Sequence, residues 1–87
     1  MSFHYFYILR SLSNSKLYIG QTENLKQRFK QHNSGSELAT KPNIPYDLIY
    51  YSAFKSKTDA VECEKYFKTT SGWKRLKRML KYTLKNT

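Results

Sequence analysis

The start of the chain constrains its fold most strongly, because two segments of strand character flank a short polar turn. Residues 3–9 are rich in aromatic and β-branched side chains, which favour extended strands. Residues 11–15 have the composition of a turn, and residues 16–20 that of a second, shorter strand. Two strands with so short a connection form a β-hairpin, so we expect the chain to begin with antiparallel pairing.

The predicted hairpin brings tyrosine side chains together. We expect its pairing to start from Leu9 and Lys16, the residues next to the turn. This register sets Tyr7 directly opposite Tyr18. Opposed residues share one face of a sheet, so the two phenol hydroxyls are predicted to lie in one patch.

The remainder of the chain alternates helix and strand patterns. We predict a helix over residues 23–32, a polar loop over 33–46, a strand over 46–54, a helix from Ser56 or Asp59 to about Thr69, and a final helix capped by Ser71. The order β-β-α-β-α-α predicts an α+β fold. Its three-stranded, mainly antiparallel sheet should be flanked by the helices.

Local spacing predicts the helix caps and the buried stripe of the last helix. Thr22 or Asn24 can cap the first helix, and Asn24 with Gln27 has the spacing of a capping box. Asp59 with Glu62 has the same spacing in the second helix. The last helix is expected to bury a stripe formed by Trp73, Leu76, Leu80 and Leu84.

Length and composition limit the classes of protein to which the chain can belong. With 87 residues it is expected to form a single domain, 1–87, too small for an enzyme with an elaborate pocket. A hydrophobic content of 39% argues against disorder. Cys63 is the single cysteine, which excludes an internal disulfide and suits a reducing compartment. The N-terminus has no basic leader and no apolar run is long enough to span a membrane, so we expect a cytoplasmic protein.

The charge of the chain predicts a polyanionic partner. Sixteen Lys and Arg residues against six Asp and Glu give a net charge of +10, and no acid follows Glu64. Nucleic acid is the first expectation and an acidic membrane the second, while a plainly solvated face or a protein partner stays an alternative. The residues expected to bind nucleic acid are Lys16, Lys65, Lys68, Lys74, Lys77, Arg78 and Lys81.

Glu64 is the acid placed to meet the sheet. Ala60, Cys63 and Phe67 recur at helical spacing and define the inward stripe of the second helix. Glu64 borders that stripe, whereas Glu62 lies roughly 200° around the helix from it. The alternative for Glu64 is a boundary residue paired with a nearby lysine.

Four elements, taken in order along the chain, resemble the GIY-YIG endonuclease superfamily. Tyr5-Phe6-Tyr7 is a degenerate form of the first motif, and Tyr18-Ile19-Gly20 matches the second literally. Arg28 corresponds to the arginine of the family's helix, and Ala60 to Glu64 corresponds to its Ala-x-x-x-Glu pattern. The likeness spans nearly the whole chain and is strongest to small, single-domain bacterial members. It extends to the nuclease domains of excision-repair and homing endonucleases.

The resemblance implies a set of site residues. Glu64 would hold one divalent ion, Mg²⁺ or Mn²⁺, and Arg28 would bind the scissile phosphate. Tyr7 or Tyr18 would act as general base, and its phenol would need to be acidified by the metal, by Arg28 or by Lys16. His32 could contact phosphate, relay a proton or simply end its helix.

The expected function is therefore that of a metal-dependent endonuclease that hydrolyses nucleic-acid phosphodiester bonds. DNA is favoured over RNA, with little sequence specificity, and the protein is expected to be a monomer or weak dimer without a membrane or disulfide partner. A non-catalytic nucleic-acid-binding module that retains the fold is the alternative, and a protein-interaction adaptor is a weaker one. Gln21 departs from the family, because some of its members carry a lysine there.

Overall fold

The computed structural model describes residues 2–85. Along them lie the strands β1 (His4–Ser11), β2 (Leu17–Thr22) and β3 (Tyr46–Phe54) and the helices α1 (Leu25–Asn33), α2 (Lys57–Phe67) and α3 (Thr70–Met79). A 3₁₀ turn, Lys41–Asn43, precedes β3. The sheet order is β2-β1-β3, and β1 pairs antiparallel with both neighbours. The predicted α+β fold and element order are confirmed.

The central strand β1 separates two hydrophobic clusters. Phe6 and Ile8 point to one face, where they pack with Phe67 of α2 and Leu76 of α3. Tyr7 and Leu9 point to the other face. Because strand residues alternate between faces, one short strand supplies the centre of both clusters.

The second cluster lies between the sheet and α1. Tyr46 is buried with Tyr7 and Leu9, and the helix residues Leu25 and Phe29 pack against them. The apolar side of α1 therefore faces the core.

The predicted hairpin register is wrong by two residues. Tyr7 pairs with Gly20, and Tyr18 pairs with Leu9. The strand continues to Ser11, whose N–H donates to the Lys16 carbonyl at 2.8 Å, so pairing begins nearer the turn than expected. A shift of two residues keeps every side chain on its face. Tyr7 and Tyr18 therefore remain on one face as diagonal neighbours, with ring centroids 6.4 Å apart.

Each of the first two helices has an N-cap, but neither forms the capping box that the sequence predicts. The Asn24 side chain accepts a hydrogen bond from the Gln27 N–H at 3.1 Å, as predicted. The Asn24 N–H donates to Thr22 Oγ1, so the capping box with Gln27 is not completed. In α2 the cap is Ser56, and Glu62 forms an ion pair with Lys65 at 3.5 Å instead of a box with Asp59.

The start of α3 also differs from the prediction. Thr69, not Ser71, is the N-cap, and its side chain accepts from the Gly72 N–H at 3.1 Å. A Cβ on Gly72 would meet the Tyr66 carbonyl and the Phe67 Cα, so Gly72 is the point of closest approach between α2 and α3. Trp73, next in sequence, is turned away and is 37% exposed, so its predicted burial is wrong.

The rest of the predicted stripe of the last helix is buried. Leu76 and Leu80 lie in the core, and Leu84 packs against it from beyond the end of the helix. None of the helices within residues 2–85 is long and apolar enough to cross a membrane.

Candidate active site

Tyr7 lies at the centre of the candidate site and is almost completely buried. Its ring lies over the backbone of Gly20 in the neighbouring strand. A Cβ added to Gly20 would stand 2.5 Å from the Tyr7 hydroxyl oxygen, which leaves no room for a side chain. The glycine of the Tyr18-Ile19-Gly20 motif is therefore required by the position of this tyrosine.

A chain of buried hydrogen bonds leads away from Tyr7. Its hydroxyl lies 2.8 Å from His32 Nε2, and His32 Nδ1 lies 3.0 Å from Thr40 Oγ1. The Thr40 hydroxyl donates to the Glu37 carbonyl at 3.4 Å, so the same oxygen is free to accept from Nδ1–H. This orientation leaves Nε2 as the acceptor for the Tyr7 hydroxyl proton. His32 and Thr40 are both fully buried.

The same burial shifts the pKa values of the two partners. Burial raises the pKa of Tyr7 to about 12; the hydrogen bond from Arg28 opposes the rise, while the charges of Tyr18 and Glu64 add to it. Burial, and then the charge of Arg28, lower the pKa of His32. Arg28 thus lowers the pKa of Tyr7, as expected, but burial outweighs its effect. At neutral pH the pair consists of a protonated phenol and a neutral imidazole.

Tyr18 is the more accessible of the two tyrosines. Its ring centroid lies 4.8 Å from that of His32, on the same face of the sheet as Tyr7. It is half-buried and also lines a depression with Lys68 and Trp73. Tyr18 therefore borders both the buried hydrogen-bond chain and the solvent.

Arg28 is held by an acid from the loop that follows α1. Its Nη1 and Nη2 lie 3.0 and 3.1 Å from the two carboxylate oxygens of Glu37, a bidentate pair. Hydrogen bonding to Glu37 raises the pKa of Arg28, and the contact lowers the pKa of Glu37. The Arg28 side chain remains 28% exposed, so its charge can still be approached from solvent.

Glu64 stands at the other side of the site. It lies on α2 next to the buried stripe of Ala60, Cys63 and Phe67, as the sequence predicted. Its Oε2 accepts from Lys68 Nζ at 2.7 Å, one turn later, and its side chain is 21% exposed. Its charge contributes to the raised pKa of Tyr7, which puts the carboxylate within electrostatic reach of the phenol.

The donor set at Glu64 suits a largely hydrated cation. Within residues 2–85 no three His, Cys, Asp or Glu side chains converge as a metal cage. Mg²⁺ commonly binds through one or two carboxylates and keeps several waters, so one partly exposed carboxylate fits it. Gln21 pairs with Phe6 and so shares the sheet face that packs on α2. Its side-chain oxygen is buried without a hydrogen-bond partner in the described part of the chain.

The basic residues predicted to bind nucleic acid lie in different parts of the surface. Lys16, Lys77 and Lys81 line one groove with Trp73 and Tyr82, which we call the basic groove. Lys68 and Lys65 are engaged by Glu64 and Glu62. Arg78 lines a different depression with Arg75, and Lys74 is exposed.

Sequence reasoning missed Glu37 and Thr40. Both lie in the long polar loop, where no periodicity marks an inward position. The sequence offers one indication of their role, the residue types themselves. An acid and a hydroxyl follow the helix that carries Arg28 and His32, and they can pair with these two side chains.

The profile of the GIY-YIG catalytic domain matches residues 3–77. The chain belongs to the GIY-YIG family. Within this GIY-YIG domain, Tyr7 and Tyr18 come from the first two strands, Arg28 and His32 from α1, and Glu64 from α2.

Several bacterial relatives are similar to this GIY-YIG chain, and all carry the name UPF0213 protein. One from Bacillus licheniformis is 41% identical over 69 residues, covering 78% of this chain and 70% of the relative. One from Bacillus pumilus is 40% identical over 78 residues, covering 88% and 76%. One from Staphylococcus haemolyticus is also 40% identical over 78 residues, covering 88% and 94%. These names state no reaction, and no solved structure is a significant match.

Proposed function

We propose that the protein is a metal-dependent endonuclease that hydrolyses phosphodiester bonds, in DNA rather than RNA, with little sequence specificity of its own. The observation that carries the proposal is the buried hydrogen-bond chain from Tyr7 through His32 to Thr40, with Arg28 beside it. This chain places a neutral histidine as the acceptor for a tyrosine hydroxyl, with a guanidinium nearby. Hydrolysis of a phosphodiester uses both groups, one for the proton and one for the phosphate.

Arg28 is the phosphate ligand in this proposal. A guanidinium forms short, charge-assisted hydrogen bonds with phosphate oxygens in the same bidentate geometry that Glu37 occupies here. A bound phosphate would exchange with the Glu37 carboxylate or share Arg28 with it. Glu37 thereby keeps the arginine side chain oriented toward Tyr7 between substrates.

The proton of the attacking water passes through Tyr7. As the water oxygen bonds to phosphorus, the P–O bond to the leaving oxygen breaks, and the leaving alkoxide takes a proton from bulk water. One proton of the attacking water moves to the Tyr7 oxygen, and the Tyr7 proton moves to His32 Nε2. The phenol never becomes a phenolate, so its pKa of about 12 is no obstacle. His32 takes the positive charge, and its Nδ1–H remains bonded to Thr40. Tyr18 borders the same space and orients the water or the phosphate.

Glu64 would hold the divalent ion, Mg²⁺ or Mn²⁺, through its partly exposed carboxylate after releasing Lys68. Such an ion supplies Lewis-acid stabilisation of the charge that develops on the phosphate oxygens. The released Lys68 is then available to a neighbouring phosphate of the substrate.

The decisive experiment compares two acids on the same helix. Wild-type protein should nick plasmid DNA or cut oligonucleotides in the presence of Mg²⁺ or Mn²⁺, and Glu64→Gln should abolish cleavage while leaving folding intact. Glu62→Gln is the matched control, because Glu62 is exposed, is also paired with a lysine and faces away from the site. It should retain wild-type activity. Cleavage that survives Glu64→Gln would refute the assignment of the metal ligand.

The same preparation separates the enzyme from a non-catalytic binding module. If DNA binds with a steep salt dependence but is never cut under any divalent metal, the module is the correct function. The basic surface would then be retained for binding alone.

A further inference from the structure

We infer that the basic groove binds an unpaired stretch of nucleic acid by stacking its bases on Trp73 and Tyr82. This inference rests on the proposed function, because it names the form of substrate that reaches the same site. The groove has a volume of about 820 Å³ and runs between the start of β2 and the segment that follows α3. Trp73 and Tyr82 are 37% and 75% exposed within it.

Charge complementarity identifies the occupant as a polyanion. The groove is lined by Lys16, Lys77, Lys81 and Lys85, and no acid from the described residues joins them. Two of these lysines lie over the aromatic rings, with Lys77 Nζ 6.0 Å from the Trp73 ring centroid and Lys81 Nζ 5.2 Å from that of Tyr82. Each ring therefore has a cation beside it, so a nucleotide can stack its base on the ring and bind its phosphate to the lysine.

The exposed rings favour single strands over duplex. In a duplex the faces of the bases are covered by their neighbours. A duplex would therefore bind to the lysines but could not stack on the rings. An unpaired strand presents every base face, and stacking on aromatic side chains tolerates any sequence. A base that takes the place of an ammonium over the ring frees that lysine to bind the adjoining phosphate.

The groove is continuous with the candidate active site. A second depression of about 310 Å³ is lined by Tyr18 and Lys68, and it shares Leu17 and Trp73 with the groove. Lys68 in turn binds Glu64. A strand that stacks on Tyr82 and Trp73 is thus led toward Tyr18, so the substrate is a single strand, a flap or an overhang whose unpaired part occupies the groove.

The single tryptophan makes the test direct, since all tryptophan fluorescence comes from Trp73. An oligothymidylate of about ten nucleotides, within the site sizes known for single-strand binders, is titrated into the protein in EDTA. A blunt DNA hairpin and anionic phosphatidylserine vesicles are titrated in parallel. We expect the oligothymidylate to quench the fluorescence strongly and to bind more tightly than the hairpin.

Tyr82→Ala should weaken oligothymidylate binding by about tenfold or more, the usual effect of removing one stacking ring, with hairpin binding nearly unchanged. Tyr82→Phe should restore the affinity. Tyr66→Ala is the matched control, because Tyr66 is an exposed tyrosine on α2 outside the groove, and it should leave both affinities unchanged. Equal losses for oligothymidylate and hairpin in Tyr82→Ala would overturn the inference, as would a fluorescence response to vesicles alone.

These experiments distinguish a failure of the proposed groove from a failure of the proposed nuclease activity. Quenching by oligothymidylate without cleavage of any substrate in Mg²⁺ or Mn²⁺ would support the groove and refute the nuclease. Cleavage of duplex DNA without any change in Trp73 fluorescence would support the nuclease and refute the groove.

Discussion

At the scale of single residues, the centre of the site is a set of buried side chains that hydrogen-bond to one another. The Tyr7 ring is confined on one side by the Gly20 backbone, and its hydroxyl is fixed by His32. His32 in turn has its second nitrogen fixed by Thr40. Because each group is buried, each hydrogen bond selects one orientation of the next. The tautomer of His32, on which the proposed proton transfer depends, is thus selected by the Thr40 hydroxyl.

Thr40→Val tests this arrangement at one atom. The substitution keeps the shape of the side chain but leaves the buried Nδ1–H of His32 without an acceptor. It should lower the free energy of unfolding by about 1–3 kcal/mol, the cost of an unsatisfied buried donor. Thr40→Ser keeps the hydroxyl and should lose less. Urea unfolding measures both values, and equal stability of the two variants would contradict the role of the hydroxyl.

At the scale of elements, the junction between α2 and α3 decides which face of α3 is buried. The two helices are separated by Lys68 and Thr69 only. Thr69 caps α3, and Gly72 lets its first turn press against the end of α2. This contact turns Leu76 inward and leaves Trp73 at the rim of the basic groove. The geometry of a short connection therefore controls whether an aromatic residue serves the core or the surface.

The identity of the cap gives a test at this scale. Thr69→Ala removes the side chain that accepts from the Gly72 N–H and should cost about 1 kcal/mol of stability. Ser71→Ala is the matched control, because Ser71 is exposed and lies within the helix, and it should stay within about 0.5 kcal/mol of wild type. Thermal or urea unfolding decides between them. A larger loss in Ser71→Ala would mean that α3 begins later than described.

The order of the elements could be predicted from the sequence, because apolar periodicity and turn residues report it directly, and so could the shared face of Tyr7 and Tyr18. The hairpin register could not, since a shift of two residues leaves every side chain on the same face and changes only which backbone groups pair. The burial of Trp73 was predicted wrongly because its neighbour Gly72 takes the inward position. Adjacent helix positions differ by about 100° around the axis, so Trp73 is turned outward. Glu37 and Thr40 escaped prediction because a loop has no period from which an inward position can be read.

At the scale of the whole molecule, stability should depend on pH through the buried site. The fold lowers the pKa values of His32 and Glu37, so below about pH 6.5 the unfolded chain binds more protons than the folded one. The free energy of unfolding should therefore be highest at neutral pH and fall as the pH decreases, first through His32 and then through Glu37. Melting temperatures between neutral pH and about pH 5 should show a weaker dependence in His32→Asn. An unchanged dependence in that variant would contradict the contribution of His32.

The central position of β1 has a consequence for how this protein can be regulated. The backbone amides of β1 are hydrogen-bonded to the strands on both sides, and its side chains lie in both hydrophobic clusters. These amides should therefore exchange with deuterium only when the whole molecule unfolds. Tyr7 belongs to that most protected segment. A ligand that blocks the proposed site without unfolding the protein should therefore bind at its rim, at the loop that carries Glu37 or at Lys68, which pairs with Glu64.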